Sequence, residues 1–213
     1  AAVCEAVSIC AKRMDGRTAV CAGMLGPMGL LGQLMGVEGL AIASLTAPDW
    51  MERSAKTLTA LQAEYAKGLR DAGAEIITIV ESEAGADIID PSGYMAVSGS
   101  LMKDLVPTGV KSVLHMCGAC VPLLEDISRT GVDALSPDQC EPASAIMDGL
   151  KGRVAVAGSV DPVGALLLGT PDKIVAEARM YADAGYNVIA PGCGIAPLTP
   201  DGNMKALADA FKA

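Results

Sequence analysis

Residues 113–120 read Val-Leu-His-Met-Cys-Gly-Ala-Cys (VLHMCGAC). The stretch ends an apolar run by setting His115, Cys117 and Cys120 close together, and the chain has no other histidine. A second stretch, IAPGCGIAPLTP at residues 189–200, sets Cys193 just past another candidate strand end. Two strand-helix units, with strands at Ala134–Ser136 and Val154–Ala157, separate them. In a flat sheet, at about 4.8 Å per strand, the two ends would stay roughly 15 Å apart; a sheet that curves into a barrel brings them together. The fold therefore turns on whether the sheet curves.

Working outward, strands are predicted at Thr18–Ala22, Glu75–Val80, Val110–His115, Ala134–Ser136, Val154–Ala157 and Asn187–Ala190, each a short apolar, β-branched run. Asp49–Ala72 is the strongest helix. Ala47-Pro48-Asp49 offers its start, Leu58, Leu61, Tyr65 and Leu69 recur at helical steps, and Gly73 closes it. Val3–Arg13, Pro91–Leu105, Val121–Thr130, Pro171–Ala184 and Pro200–Lys212 read as further helices, three of them opening on proline. Strand then helix, repeated, means parallel strands with helical crossovers, either an open doubly wound sheet or an eight-stranded barrel. The phrases GLRDAGAEIITIV (68–80) and MYADAGYNVIAPG (180–192) fit both. No linker or low-complexity stretch divides residues 1–213, so a single domain is expected.

Composition limits the function. The chain has 213 residues, 51 % of them hydrophobic, enough for one substantial core. Its apolar runs are broken well before the roughly 20 residues of a membrane span, and no basic segment precedes an apolar stretch at the start, so neither membrane nor secretion signal is expected. With 25 acidic against 16 basic residues and a net charge of −9, the surface repels nucleic acid and anionic lipid. Seven cysteines, an odd number thinly spread, fit reduced thiols in a cytoplasm better than a disulfide scaffold. The start, Ala1-Ala2-Val3, lies without a methionine inside a predicted helix and reads as part of something longer.

In either architecture ligands bind at the carboxyl ends of the strands. His115, Cys117 and Cys193 would supply the three ligands of a catalytic zinc site that leaves a fourth position open, and zinc of this kind deprotonates a bound thiol. Competing readings are an ordinary buried strand end, a local His-x-Cys-x-x-Cys cluster using Cys120, and a Cys117–Cys120 redox pair. The last is weakened because Cys120 opens a helix with no Trp or neighbouring Pro to complete such a motif. Cys4, Cys10, Cys21 and Cys140 are assigned to packing. Asp138, in ALSPDQC, is either a fourth ligand in the absence of substrate or the cap of the next helix. Asp161, in GSVDPVG, either orients substrate or stabilises the turn at Pro162. Glu81 and Glu83 follow a strand toward the same mouth, as acid or base, or as a solvated rim; Glu81 and Asp161 are the candidate cofactor contacts. GMLGPMGLLGQL (23–34) is glycine-rich but lacks the lysine of a P-loop and the G-x-G-x-x-G spacing. Its glycines would admit a large flat ligand or simply pack loosely.

VLHMCGAC, ALSPDQC, VAGSVDPVGALLLGTPDKI (156–174) and NVIAPGCGIAPLTPDGNMKAL (187–207) together resemble the corrinoid-dependent methyltransferases of the uroporphyrinogen decarboxylase superfamily, especially the methylcobamide:coenzyme M methyltransferases of methylotrophic methanogens. The resemblance runs from GMLGPMGLLGQLMGVEGL (23–40) onward. It implies a TIM (β/α)8-type barrel whose N-terminal strands this chain lacks. It also implies a zinc site on His115, Cys117 and Cys193, with Asp138 available as a fourth ligand in the thiol-free state. The implied activity is methyl transfer from a methylcobamide, carried by a separate corrinoid protein, to a small thiol such as coenzyme M. A metal-independent decarboxylase-like enzyme and a non-catalytic barrel that binds a corrinoid protein are the other expectations.

Overall fold

The computed structural model of the chain describes residues 2–212. Helix α1 (Ala2–Met14) leads into β1 (Cys21–Leu25), followed by α2 (Pro27–Met35), α3 (Val37–Thr46) and the long α4 (Pro48–Asp71). Then come β2 (Ile76–Glu81), α5 (Pro91–Val97), a 3₁₀ turn (Gly99–Leu101), α6 (Met102–Leu105), β3 (Lys111–Met116), a second 3₁₀ turn (Val121–Leu123) and α7 (Leu124–Ile127). The chain continues through β4 (Ala134–Pro137), α8 (Ala143–Leu150), β5 (Ala155–Val156), a π-helical turn (Pro162–Leu167), α9 (Pro171–Asp183) and α10 (Asp201–Asp209).

All pairing is parallel, and the order in the sheet is the order in the chain, β1-β2-β3-β4-β5. A doubly wound sheet reverses its order at a switch point; this one does not. With right-handed crossovers throughout, the helices collect on one face and leave the other concave, which is the winding of a TIM-type barrel. Side chains divide accordingly. Ile77, Ile79, Leu114, Met116, Leu135 and Val156 are buried beneath the helices, whereas Thr78, Val113, His115 and Ser136 line the concave face. Among the described residues the sheet continues past β5 only as two parallel bridges, Ala157 with Val188 and Val160 with Pro191. The predicted strand Asn187–Ala190 is thus reduced to isolated bridging.

Other expectations shift too. β1 lies three residues later than predicted and takes in the first residues of the glycine-rich stretch, the rest of which folds as α2 instead of packing loosely. Glycines at 26, 29 and 32 recur on one helical face, where an added Cβ would meet the side chains of Glu81 and Glu83 or the Val80 carbonyl within 2.4–3.0 Å. The predicted helix Pro91–Leu105 breaks at Ser98, and Val121–Thr130 shortens to a 3₁₀ turn plus α7. α4 stands where predicted, but its buried face is Met51, Ala55, Thr59, Gln62, Ala66 and Leu69, while Leu61 is 67 % exposed. Small residues let α4 lie close to its neighbours, and Gln62 Nε2 donates to the Leu25 carbonyl at 2.8 Å. Among the described residues no single helix is long and apolar enough to cross a membrane.

This register makes a direct prediction for urea unfolding. Leu69→Ala, emptying a fully buried site, is expected to cost about 2–5 kcal/mol. Leu61→Ala should stay within about 0.5 kcal/mol of the parent. Equal losses would put the helix in the other rotation.

Candidate functional site

The pleat of β3 buries Leu114 and Met116 on the helix side and turns His115 to the concave face, where its register partners are Val80 and Ser136. His115 Nδ1 lies 3.1 Å from the Ser136 carbonyl and 3.2 Å from its hydroxyl. A carbonyl only accepts, so Nδ1 carries the proton and Nε2 presents its lone pair. Burial lowers the pKa of His115, against the raising effects of the Ser136 hydrogen bond and of Asp138; the ring is held toward its neutral, ligating form. Nε2 is 3.5 Å from Cys117 Sγ.

Cys193 arrives from the far side of the sheet. Gly158 N–H donates to Val188 O, Val160 N–H to Ala190 O, and Gly192 N–H back to Val160 O at 2.8 Å. These bonds tie the 188–192 segment to the residues after β5, and the curvature accumulated across β3, β4 and β5 carries Cys193 Sγ to 3.6 Å from Cys117 Sγ. One ligand atom from each of His115, Cys117 and Cys193 lies within 4.8 Å of the others, a group able to hold a metal ion. Burial, then the neighbouring Cys193 thiol, pushes the Cys117 thiol up to about 12. His115 and Cys193 line a mainly apolar cavity of about 390 Å³, whose walls also include Cys21, Thr78, Val113, Ser136 and Pro191.

The turn after Cys117 is held by carboxylates. Gly118 N–H donates to Asp138 Oδ2 at 3.2 Å, Ala119 N–H to Asp87 Oδ1 at 3.3 Å, and Cys120 and Val121 N–H to Glu141 Oε1 at 2.9 and 3.3 Å. Gly118 has φ +72°, and a Cβ there would sit 2.7 Å from Asp87 Oδ1; only glycine fits this corner. Cys120 points into the core, fully buried. It is outside the metal-competent group, which recruits Cys193 instead. That arrangement disfavours both local readings of VLHMCGAC.

The remaining expectations divide. Asp138 is beside the trio, but its oxygens accept from Gly118 N–H and from Cys140 N–H, the latter at 3.2 Å. Asp161 Oδ1 accepts from Val163 and Gly164 N–H and so caps the π-helical turn. Glu81 does not face the mouth. As the last outward-pointing residue of β2 it is fully buried, accepting from Gly29 N–H at 2.7 Å, Met28 N–H at 3.3 Å and the Ser98 hydroxyl. It caps α2 from a neighbouring strand, and the solvated-rim reading fails. Glu83 is buried as well, with Oε2 unpartnered. Cys10, Cys21 and Cys140 are exposed free thiols, not packing residues. Sequence reasoning did not single out Ser136, Asp87, Gln139 or Glu141. The acidic pair in Asp138-Gln-Cys-Glu141 was the available signal, but its reach across to the 117–121 turn is a tertiary fact.

The profile of a family described as uroporphyrinogen decarboxylase (URO-D) matches residues 1–213. The chain is 32 % identical to methylcobamide:CoM methyltransferase MtaA of Methanosarcina barkeri, over 97 % of this chain and 61 % of that protein. Methylcobamide:CoM methyltransferase MtbA of Methanosarcina mazei is 28 % identical, over 99 % of this chain and 62 % of its own length. A solved structure described as a methyltransferase from Methanosarcina mazei superposes with a TM-score of 0.90 at 31 % identity, covering 98 % of this chain and 62 % of that one. The chain thus spans about three-fifths of the length of these relatives.

The buried carboxyl beneath α2 predicts a pH effect. Burial pushes Glu81 up to about 7, against the hydrogen bonds from Ser98, Gly29 and Met28 that hold it down. Its folded pKa exceeds the unfolded value of about 4.5, so the folded state binds the extra proton and stability falls as pH rises from about 4.5 to 7. Glu81→Gln should flatten that slope. At pH 8 it should be more stable than the parent by roughly 1–3 kcal/mol, read from denaturant midpoints across pH; an unchanged slope would refute the assignment.

Proposed function

The chain belongs to the uroporphyrinogen decarboxylase (URO-D) family, and from that membership we propose that it serves zinc-dependent transfer of a methyl group from a methylated corrinoid to a thiol, coenzyme M being the first candidate. The names of its relatives support the reaction class, since both MtaA and MtbA are methylcobamide:CoM methyltransferases. The observation that carries the proposal is the spacing of the ligand atoms. Tetrahedral zinc with Zn–S of about 2.3 Å and Zn–N of about 2.0–2.1 Å has S···S edges of about 3.8 Å and S···N edges of about 3.6 Å. The observed separations are 3.6 Å for Cys117 to Cys193 and 3.5 Å for His115 to Cys117. Two thiolates and one neutral imidazole would hold the ion and leave a fourth position for an acceptor thiol.

Bound there, zinc supplies Lewis acidity that keeps the acceptor sulfur as a thiolate at neutral pH. The protein's residues do the rest. The Ser136 carbonyl fixes the tautomer of His115, so the ring donates from Nε2. Burial of Cys117 favours the protonated thiol, so this cysteine would change state with the metal and give up its proton on binding it. The mainly apolar cavity lined by His115 and Cys193 offers the methyl group a surface of matching polarity. The acceptor sulfur attacks the methyl carbon of the methylcobamide, presented by a corrinoid protein. A C–S bond forms, the Co–C bond breaks, and cobalt leaves as Co(I) with the electron pair. A reducing cytoplasm would keep both thiols available.

Elemental analysis is expected to find about one zinc per chain, and Cys193→Ala should lose it or bind it at least 100-fold more weakly. Transfer from methylcobalamin to coenzyme M should stop on chelation and return with zinc. Full zinc retention in Cys193→Ala would move the metal off this trio. A chain with no zinc that decarboxylates a porphyrinogen would establish the metal-independent alternative.

A further inference from the structure

Two adjacent residues at the carboxyl end of β4, Asp138 and Gln139, each touch one of the two loops that carry the metal-competent thiols. Asp138 Oδ2 accepts from Gly118 N–H, the amide that follows Cys117, at 3.2 Å. Its other oxygen accepts from Cys140 N–H at 3.2 Å, which fixes the carboxylate's own orientation. Gln139 lies against Gly192, the residue before Cys193. A Cβ on Gly192 would sit 2.7 Å from Gln139 Oε1, 3.1 Å from its Cβ and 3.1 Å from its backbone nitrogen. Oε1 is buried and accepts from no donor, so packing, not a hydrogen bond at that oxygen, holds the amide on the glycine.

We propose that Asp138 and Gln139 are positioning residues that set the separation of the two thiols, Asp138 by hydrogen-bonding the Cys117 turn and Gln139 by bearing on the Gly192–Cys193 loop. The inference rests on the metal-site reading above and assigns Asp138 a role other than ligation. β4 is the neighbour of β3 in the sheet, so the loop after it stands between the two thiol-bearing loops. On the Cys117 side the hold is shared, because Glu141 from the same loop takes Cys120 and Val121 N–H while Asp87 takes Ala119 N–H. On the Cys193 side Gly192 N–H donates to Val160 O at 2.8 Å, and Gln139 bears on the same residue through its side chain. A residue other than glycine at 192 would push Cys193 away from Cys117. Gly192 needs no positive φ, so its requirement for glycine is steric and comes from Gln139.

The test measures zinc affinity by chelator competition, and the sulfur-to-metal charge-transfer absorption of the cobalt(II)-substituted protein, for the parent, Asp138→Ala, Asp138→Asn, Gly192→Ala and Gly192→Ala with Gln139→Ala. Metal-free thermal unfolding of each variant separates a displaced ligand from a lost fold. Asp138→Ala and Gly192→Ala are expected to bind zinc about 10–100-fold more weakly, with altered charge-transfer bands and a metal-free unfolding midpoint near the parent's. Asp138→Asn keeps an oxygen acceptor for Gly118 N–H and should recover most of the affinity, and removing the Gln139 amide should recover part of the loss in Gly192→Ala. Parent-like affinity and bands in both Asp138→Ala and Gly192→Ala would overturn the inference. So would an Asp138→Asn as damaged as the alanine variant, which would make Asp138 a ligand. Absence of zinc from the parent protein would instead overturn the zinc reading on which the inference stands.

Discussion

Because β1 to β5 pair in parallel and in chain order, every strand delivers its carboxyl end to the same edge of the sheet, and every helical crossover falls on the same face. Chemistry can then assemble only on that edge or on the concave side. His115 reaches the concave side through the alternation of β3, and the loop after each strand projects over it. The two bridges beyond β5 complete the arrangement by tying the Pro191 segment to Val160. Without that tie Cys193 would lie on a free loop. With it, three side chains from distant parts of the sequence meet within 4.8 Å.

The electrostatics of this meeting point are two-sided. Burial favours a neutral Cys117 thiol and a neutral imidazole, the forms a partly desolvated site prefers when no cation is near. A divalent cation would reverse the preference at Cys117 and leave the imidazole as it is. Close by, Asp87, Asp138 and Glu141 bring further acidic groups, and the charge of Asp138 adds to the burial that holds Cys117 protonated. Their oxygens take four consecutive backbone N–H groups, 118 to 121. Those amides would otherwise be unpaired in a partly buried turn, where each costs on the order of 1–3 kcal/mol. The same interaction therefore satisfies the backbone and shapes the corner that presents Cys117.

Much of this was legible in the sequence because it depended on local signals. The alternation of strand and helix, the ends of α4, and the pairing of His115 with Cys117 are short-range patterns. The choice of Cys193 over Cys120 was not local. It rests on sheet curvature, and VLHMCGAC alone allows either. The spacing of Leu58, Leu61, Tyr65 and Leu69 marks α4 as a helix but not its buried face, because Leu61 and Tyr65 outrank Ala55, Ala66 and Gln62 in hydrophobicity and yet are exposed. Close helix packing selects the small residues, and Gln62 is kept inside by its bond to the Leu25 carbonyl. The glycines of residues 23–34 were ambiguous for a related reason. They make room for two buried glutamates that lie more than fifty residues away in sequence. A carboxylate used as a helix cap from another strand leaves no mark in its own neighbourhood.

Among the described residues, the candidate ligands and their supports come from one part of the chain. The three candidate ligands, the carbonyl that orients His115, and the groups that hold the two thiol-bearing loops all come from the segment between β2 and the Gly192–Cys193 loop. β1 lends Cys21 to the wall of the cavity, while Glu81 fastens α2 to the end of β2 on the opposite, helical side. Two distinct constellations, one buried around Glu81 and one half-buried around His115, thus occupy the carboxyl ends of neighbouring strands. One faces outward and joins a helix to the sheet; the other faces inward, toward the cavity. Residues of like chemistry, Glu81 on one strand and Asp138 two strands away, differ in use because the pleat sends one under a helix while the loop after β4 lays the other beside a thiol.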